Sequence, residues 1–452
     1  MSRESEKLYE AIGRVGDRQI EEAQASRRQR RPRWVAPLAA VIALAALLTV
    51  FFSGRGNTAY AVAEAKYPKG KMAERGPLPH TDELEGFIRA ALPRLLSGEK
   101  GENRACSPLN IYLALSMLAE AAGGESRAQL LELLDSPDIE TQRQRAKKLW
   151  EQSYYEGENE ACRLASSLWL DAGMKYDPST VKTLAEEYYA SVFRGDMGSA
   201  EYDKLLQDWL NEQTGGLLEE QAGSAHLGPD VKLALAAAIW FKGEWVWHYS
   251  SAQTAPETFH RPEGDVTCDF MHGGWPEGDY YWGEGFTAVP QRFVNGRSML
   301  YILPEEGRSP EELLSDGGFL DFLTADHRSW EGRETVIVDI RLPKFDIMSR
   351  LDLSPALKEL GVTDVLDPEK ADFSPMGKLS SAAVAQAGHT ARVKVDEEGC
   401  EAAAFTTIAV PSSLPREQPR IVEFVLDRPF IFVILGRDDL PLFVGIVNDP
   451  TA

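Results

Sequence analysis

The sequence lacks the positive charge that a nucleic-acid partner would require. Its 452 residues include 48 Lys and Arg against 70 Asp and Glu, which gives a formal net charge of −22. Phosphate binding needs a basic face, and only one short stretch near the N-terminus is rich in basic residues. No nucleic-acid partner is therefore predicted, and the acidity mainly favours solubility.

Cysteine is scarce and carries no metal-site pattern. The four cysteines are far apart, without CxxC or Cys/His zinc spacing: Cys106, Cys162, Cys268 and Cys400. Free thiols are expected, because a domain of this size does not need disulfides for stability, although an even number leaves disulfides open. The seven histidines are also scattered, so neither a metal site nor another cofactor site is predicted.

The common catalytic motifs are missing as well. The sequence contains no GxSxG elbow, no Walker loop and no GxGxxG. An enzyme is therefore not predicted, although an active site assembled from distant residues is left open.

One long hydrophobic run is present near the N-terminus. Residues 1–33 are polar and end in an arginine cluster, and Trp34–Phe52 then contains no charge. At about 1.5 Å per residue this run nearly crosses a hydrocarbon core of about 30 Å. We predict a cytoplasmic segment at 1–33, a transmembrane helix or signal anchor at 34–53, and a linker at 54–80.

The arginine cluster predicts how the chain is oriented. Because such clusters stay cytoplasmic, the predicted location is the cell membrane, single-pass, with the C-terminal part outside. The alternatives are a cleaved signal peptide, which would give a secreted protein, and a buried core helix. The span flanked by arginines is also compatible with a bacterial envelope protein.

Residues 81–452 show helical and strand-like patterns without regular alternation. Helical periodicity dominates the first half, as in SPLNIYLALSMLAEAAGG (107–124), where Ser-Pro predicts a helix start and Gly-Gly its end. Strand-like runs such as TVIVDIRLP (335–343) dominate the second half. The pattern predicts an α+β fold with large antiparallel or mixed sheets.

Several motifs resemble those of one known family. FVLDRPFIFVI (424–434), followed by LPLFVGIVNDP (440–450), is similar to the signature that closes serpins, a family of serine-protease inhibitors. VDEEGCEAAA (395–404) resembles the serpin hinge, and AAIWFKGEW (237–245) and DWLNEQTGGLL (208–218) resemble further serpin motifs. The resemblance covers roughly residues 81–452. It implies the serpin fold, in which helices pack around large mixed and antiparallel sheets and a reactive-centre loop is exposed.

The resemblance also implies a mechanism. In serpins the target protease cleaves the exposed loop as if it were substrate, and the N-terminal part of the loop then inserts into the central sheet as a new strand. The chain is therefore expected to be a suicide-substrate inhibitor of an extracellular serine protease, and a monomer without cofactor. A cysteine protease is an alternative target, and a non-inhibitory binding protein with the serpin fold is the alternative function.

The hinge has the residue pattern that insertion requires. Strand residues face opposite sides in alternation, so the inward residues after Gly399 are small: Cys400, Ala402, Ala404 and Thr406. Glu401 points outward, and this arrangement favours inhibition. Cys400 stands where the family usually has Thr, and its oxidation is expected to impair insertion. The implied hinge residues are Glu397, Glu398, Gly399, Cys400, Glu401, Ala402, Ala403 and Ala404.

The reactive bond is implied near the end of an uncharged stretch, 402–413. Counting from the hinge as the family does gives Ser413 as the residue before the bond, whereas matching AVPSS to a family pattern gives Ser412. The bond then lies among Ser412, Ser413 and Leu414, and these small residues suit an elastase-like or subtilisin-like protease. Arg416 is the alternative reactive residue, for a trypsin-like protease.

In the family, polar residues beneath the central sheet control its opening. The residues here that match these positions are Ser107, Asn110, His389 and Trp245. Asn110 replaces a serine of the family, and the asparagine that the family has on a strand is Ala237. We predict that Asn110 compensates by a hydrogen bond to His389; two unrelated substitutions are the alternative. Trp245 is expected beneath the point where the loop enters, or as an ordinary core residue.

Overall fold

Two large β-sheets form the frame of the computed structural model, and helices pack against them. The structure describes residues 59–67, 82–98, 101–157, 160–216, 225–377, 383–400, 420–436 and 439–452. All of these fall within the unit Ala59–Ala452.

Most of the described helices lie in the first half of the chain. Their bounds are α1 Asp82–Leu95, α2 Pro108–Ala121, α3 Gly124–Leu133, α4 Ile139–Ser153, α5 Pro178–Glu187, α6 Ala200–Gln213, α7 Pro310–Leu314, α8 Gly317–Thr324 and α9 Ser354–Glu359. Helix α2 begins as predicted, because Ser107 caps it by accepting a hydrogen bond from the Asn110 N–H, and Pro108 fits the first turn. All of its residues are buried, so α2 is a core helix.

The first sheet, called the central sheet below, is mixed. Its strands are β1 Tyr60–Ala63, β3 Tyr155–Glu156, β4 Ala161–Asp171, β5 Ala190–Gly195, β6 Leu233–Glu244, β12 Phe345–Asp352, β13 Val384–Val395 and β14 Gly399–Cys400. They are ordered β1-β5-β4-β6-β14-β13-β12, with β3 beside β4. The pairs β4–β5 and β6–β13 are parallel, whereas β14 is antiparallel to both of its neighbours.

The second sheet contains the C-terminal motif. Its strands are β2 Arg104–Cys106, β7 Ala255–Arg261, β8 Gly264–Gly283, β9 Phe286–Arg292, β10 Ser298–Pro304, β11 Arg333–Pro343, β15 Ile421–Val425, β16 Phe430–Leu435 and β17 Pro441–Val447. They are ordered β15-β11-β8-β9-β10-β16-β17-β2, with β7 beside β8. Every residue of β16 and β17 is buried, which explains why the motif is almost entirely apolar.

The core lies between the two sheets and includes α2. This helix contacts β4 and β6 of the central sheet and β17 of the second sheet. A smaller apolar cluster covers the other face of the central sheet, where Trp169 of β4 stacks on Phe193 of β5 with ring centroids 4.2 Å apart and meets Trp209 of α6 edge-on. The prediction of an α+β fold with large mixed sheets is confirmed.

Part of the predicted linker belongs to the central sheet. Within 54–80 the structure describes 59–67, where β1 pairs antiparallel with β5 and Tyr60 lies opposite Arg194. The Tyr60 hydroxyl accepts a hydrogen bond from the Arg194 guanidinium at 3.1 Å. The sheet therefore begins before the predicted domain start at residue 81.

The predicted single-pass location in the cell membrane is contradicted. In the described ranges no helix combines the length and the apolar character of a membrane span. The longest helix whose bounds are given, α4, has 15 residues, whereas a span takes about 20. Residues 1–33 and 34–53, on which the prediction was based, lie outside the described residues.

Candidate functional site at the seam of the central sheet

Strands β6 and β13 lie side by side in the middle of the central sheet, and we call the line between them the seam. They pair in parallel from Leu233 opposite Val384 to Ala238 opposite Thr390. We call this paired section the closed end. Beyond Ala238 and Thr390 the two strands are not paired with each other in the described structure, and this section is called the parted end.

The short strand β14 lies between β6 and β13 at the parted end. Gly399 is opposite Glu244 of β6, and Cys400 is opposite both Gly243 of β6 and Val395 of β13. The Cys400 side chain is buried, with a relative exposure of 1%. Gly399 and Cys400 of the predicted hinge are therefore already part of the sheet.

The turn 396–398, which joins β13 to β14, is hydrogen-bonded to the residue that follows β6. The Trp245 backbone N–H donates to the Glu398 carbonyl at 3.0 Å, and its indole N–H donates to the Asp396 carbonyl at 3.1 Å. The indole is buried and stacks on Phe293, with ring centroids 4.4 Å apart. Trp245 thus lies at the turn from which the loop starts, and its role in opening the sheet stays a prediction.

Glu397 is held by three partners from two other segments, the connection between β6 and β7 and the one between β11 and β12. Its carboxylate pairs with the Lys344 ammonium at 2.8 Å and accepts a hydrogen bond from the Thr254 hydroxyl at 2.8 Å. Its carbonyl accepts from the Tyr249 backbone N–H at 3.1 Å. Burial opposes ionisation, but the contacts of the carboxylate with Lys344 and Thr254, together with a backbone N–H, outweigh it and hold the pKa of Glu397 below its ordinary value.

Glu398 has a histidine partner. Nδ1 of His248 lies 3.0 Å from Glu398 Oε2, and Nε2 of the same ring lies 3.2 Å from Glu244 Oε1. Sequence reasoning missed His248 and Lys344. The available signal was the adjacent pair Glu397-Glu398, because two carboxylates at a partly buried turn need donors.

A buried polar cluster connects helix α2 to both strands of the closed end. The Ser107 backbone N–H donates to Nε2 of His389 in β13 at 3.0 Å. The side-chain amide of Asn110 donates to the carbonyl of Ala238 in β6 at 3.0 Å. One end of α2 therefore contacts both strands that would have to separate for a new strand to enter.

His389 is neutral in this cluster. Burial lowers the pKa of His389 to about 3. Because Nε2 accepts a hydrogen bond, the proton of the neutral ring lies on Nδ1. The predicted bond between Asn110 and His389 is not observed, since the Asn110 amide is directed at the Ala238 carbonyl; Nδ1 of His389 and Oδ1 of Asn110 have no hydrogen-bond partner among the described residues.

The other predicted site residues lie outside the described residues. These are Glu401, Ala402, Ala403 and Ala404 of the hinge, Ser412, Ser413 and Leu414 of the reactive bond, and Arg416. All four cysteines lie in the described ranges, and no disulfide joins any two of them there. In the described ranges no cluster of His, Cys, Asp and Glu has the arrangement to hold a metal ion.

Comparisons with known proteins agree with this architecture. The family model for serpins, described as serine protease inhibitors, matches residues 86–450. A serpin-like protein of Thermococcus kodakarensis is 28% identical over 361 residues, which cover 76% of this chain and 80% of that protein. Plasminogen activator inhibitor 1 of Bos taurus is 25% identical over 372 residues, covering 79% and 89%.

A solved structure shows the same fold. The crystal structure of tengpin, a thermophilic serpin in the native state, matches with a TM-score of 0.74 and 23% identity over 87% of this chain and 100% of that chain. The relatives above come from an archaeon and an animal and do not support a bacterial source. The family match, which spans most of the chain, shows that the protein belongs to the serpins, whose members are generally protease inhibitors.

Proposed function

We propose that the protein inhibits an elastase-like or subtilisin-like serine protease as a suicide substrate. The observation that carries the proposal is the position of β14, which already lies between β6 and β13 at the parted end. Cleavage of the loop that follows would free its N-terminal part to continue along the seam as a full strand.

The register of β14 defines where the inserted loop would lie. Continued by one residue after cleavage, the pairing would bring Glu401 opposite Lys242 of β6 and Lys394 of β13. Residues 402–404 would then fill the rest of the parted end, up to the last paired residues of the closed end. Further insertion has to break the parallel pairing of β6 with β13, and the closed end is therefore the barrier.

The same register determines which side chains face the core. Cys400 is buried in the sheet, so alternation directs Ala402 and Ala404 inward and Glu401 outward. The small inward residues fit without repacking. The outward carboxylate would lie between two ammonium groups, those of Lys242 and Lys394. Both features favour insertion.

The covalent step takes place at the reactive bond, between Ser412 and Ser413 or between Ser413 and Leu414. The serine Oγ of the protease attacks the carbonyl carbon before this bond, the C–N bond breaks, and the Oγ proton passes through the base of the protease to the leaving amine. An ester then joins the protease to the loop. Insertion of about fourteen residues at about 3.3 Å each would move the attached protease by on the order of 45 Å.

Incubation with pancreatic elastase and with subtilisin tests the proposal. We expect a complex that survives SDS, and mass spectrometry of the released C-terminal peptide to identify the bond. The matched control is Ala402→Asp, which places a charge on the inward face and should be cleaved without forming the complex. Clean cleavage of the wild type, without complex and without gain in heat stability, would favour a non-inhibitory protein.

A further inference from the structure

One imidazole connects β6 to the turn that precedes β14. His248 contacts Glu398 of the turn through Nδ1, at 3.0 Å, and Glu244 through Nε2, at 3.2 Å. Glu244 is the last residue of β6, lies opposite Gly399, and is 7% exposed. We call the arrangement Glu244–His248–Glu398 the histidine bridge.

The bridge is complete in only one protonation state. A carboxylate accepts hydrogen bonds and cannot donate them, and a neutral imidazole has a single N–H. Both contacts are hydrogen bonds only when the ring is an imidazolium, and each is then charge-assisted. In the neutral form, one ring nitrogen directs its lone pair at a carboxylate oxygen.

The bridge is separate from the other ionic contacts of the turn. It is faced by Glu244 from β6 and by Glu398 from the turn. The remaining charged side chains of the turn have partners of their own, since Glu397 pairs with Lys344 at 2.8 Å and Asp396 with Lys394 at 3.5 Å.

We propose that His248 is a positioning residue that keeps Gly399 and Cys400 in the seam by holding Glu398. The functional part of this inference rests on the proposed function, because a hinge that is already paired in the sheet provides the first residues of the inserted strand. His248 does not touch the reacting bond and acts only through Glu398.

Labelling of Cys400 measures the position of the hinge. Its thiol is buried while β14 is paired, and it is exposed when the hinge leaves the sheet. Iodoacetamide labelling is followed by peptide mass spectrometry in a Cys268→Ser background, because Cys268 is the half-buried cysteine. Each variant is compared with the parent at the same pH, so that the effect of pH on the reactivity of the thiol cancels.

The variants separate a charge effect from a packing effect. In His248→Ala we expect Cys400 to be labelled about fivefold faster than in the parent at pH 6. In His248→Lys the ammonium can donate to both carboxylates, so labelling should stay slow. No acceleration in His248→Ala, or no protection in His248→Lys, would overturn the proposal.

Measurement of inhibition keeps the two proposals apart. With elastase or subtilisin at pH 6, His248→Ala should need more inhibitor per protease than His248→Lys. If labelling follows the bridge and no variant forms a complex, the positioning role stands and the proposed function fails. If complexes form but labelling does not depend on residue 248, the proposed function stands and the positioning role fails.

Discussion

At the closed end of the seam, β6 and β13 are joined to α2 by buried and neutral groups, whereas the turn at the parted end is held by charged groups that water reaches. The closed end relies on the Asn110 amide and on a neutral His389. The parted end relies on Glu397 with Lys344 and on the histidine bridge. The closed end therefore resists separation until its hydrogen bonds break, while the parted end responds to solvent conditions.

Acid acts on the closed end through His389. This histidine is held neutral, so acid favours states in which it is exposed and protonated. Acid therefore loosens the closed end, and this change favours insertion of the loop.

The largest effect is expected from removing Trp245 at the parted end. Trp245→Ala leaves a cavity beside Phe293 and removes the indole donor to the Asp396 carbonyl, so it should lower the free energy of unfolding by about 3–5 kcal/mol. Denaturant unfolding measures this, and labelling of Cys400 should accelerate. Trp245→Phe keeps an aromatic ring and loses only the donor, so its cost should be about 1 kcal/mol. Equal costs for the two variants would contradict the cavity argument.

Sequence patterns predicted the parts of the seam that depend on local signals. Ser107-Pro108 predicts the start of α2, and its cap is present because a Ser side chain there reaches the free N–H of Asn110. The small residues of the hinge predict a strand that enters a sheet; Gly399–Cys400 forms a short strand there, while insertion of the residues that follow stays a prediction. The helix start could be predicted because the residues concerned are neighbours in sequence.

Contacts between distant segments could not be predicted in the same way. Lys344 and His248 lie 53 and 150 residues from Glu397 and Glu398, and no local pattern connects them. For Asn110 the sequence suggested a side-chain partner, whereas the observed acceptor is a backbone carbonyl, that of Ala238. Every residue has such a carbonyl, so the sequence does not reveal which one lies within hydrogen-bond distance of the Asn110 amide.

The second-largest effect on the free energy of unfolding is expected from acid, which acts on the closed end. Because the pKa of His389 is lowered to about 3 in the folded state, the unfolded chain binds more protons below the ordinary value of about 6.5. The stability that the neutral form of His389 contributes is therefore fully present above about pH 6.5. It decreases as the pH falls toward 3, and about 2 kcal/mol of it is lost at pH 5. Unfolding in denaturant at pH 7.5 and pH 5 measures the change. His389→Gln should lose this component, and the same pH dependence in the variant would assign it to other groups.

A third effect is expected from Asn110→Ala at the closed end. The variant loses the hydrogen bond to the Ala238 carbonyl, which should lower stability by about 1 kcal/mol. Thermal melting measures the loss, and slow conversion of the uncleaved protein to a more heat-stable form would indicate insertion without cleavage. The matched comparison is Trp245→Phe, which acts at the parted end. Asn110→Ala should leave early labelling of Cys400 unchanged, and an unchanged melting curve would count against the role of Asn110.

The smallest effect is expected from the ion pair at the parted end. Lys344→Gln removes the charge that faces Glu397, and because this pair is partly exposed the loss should stay below about 0.5 kcal/mol. Cys400 labelling should rise slightly and become less sensitive to salt, while most of the protection should persist because the histidine bridge is intact. Lys394→Gln is the control, since Lys394 lies 3.5 Å from Asp396 and is more exposed. If Lys344→Gln accelerated labelling as strongly as His248→Ala, the hinge would be held mainly through Glu397 and the bridge would lose its positioning role.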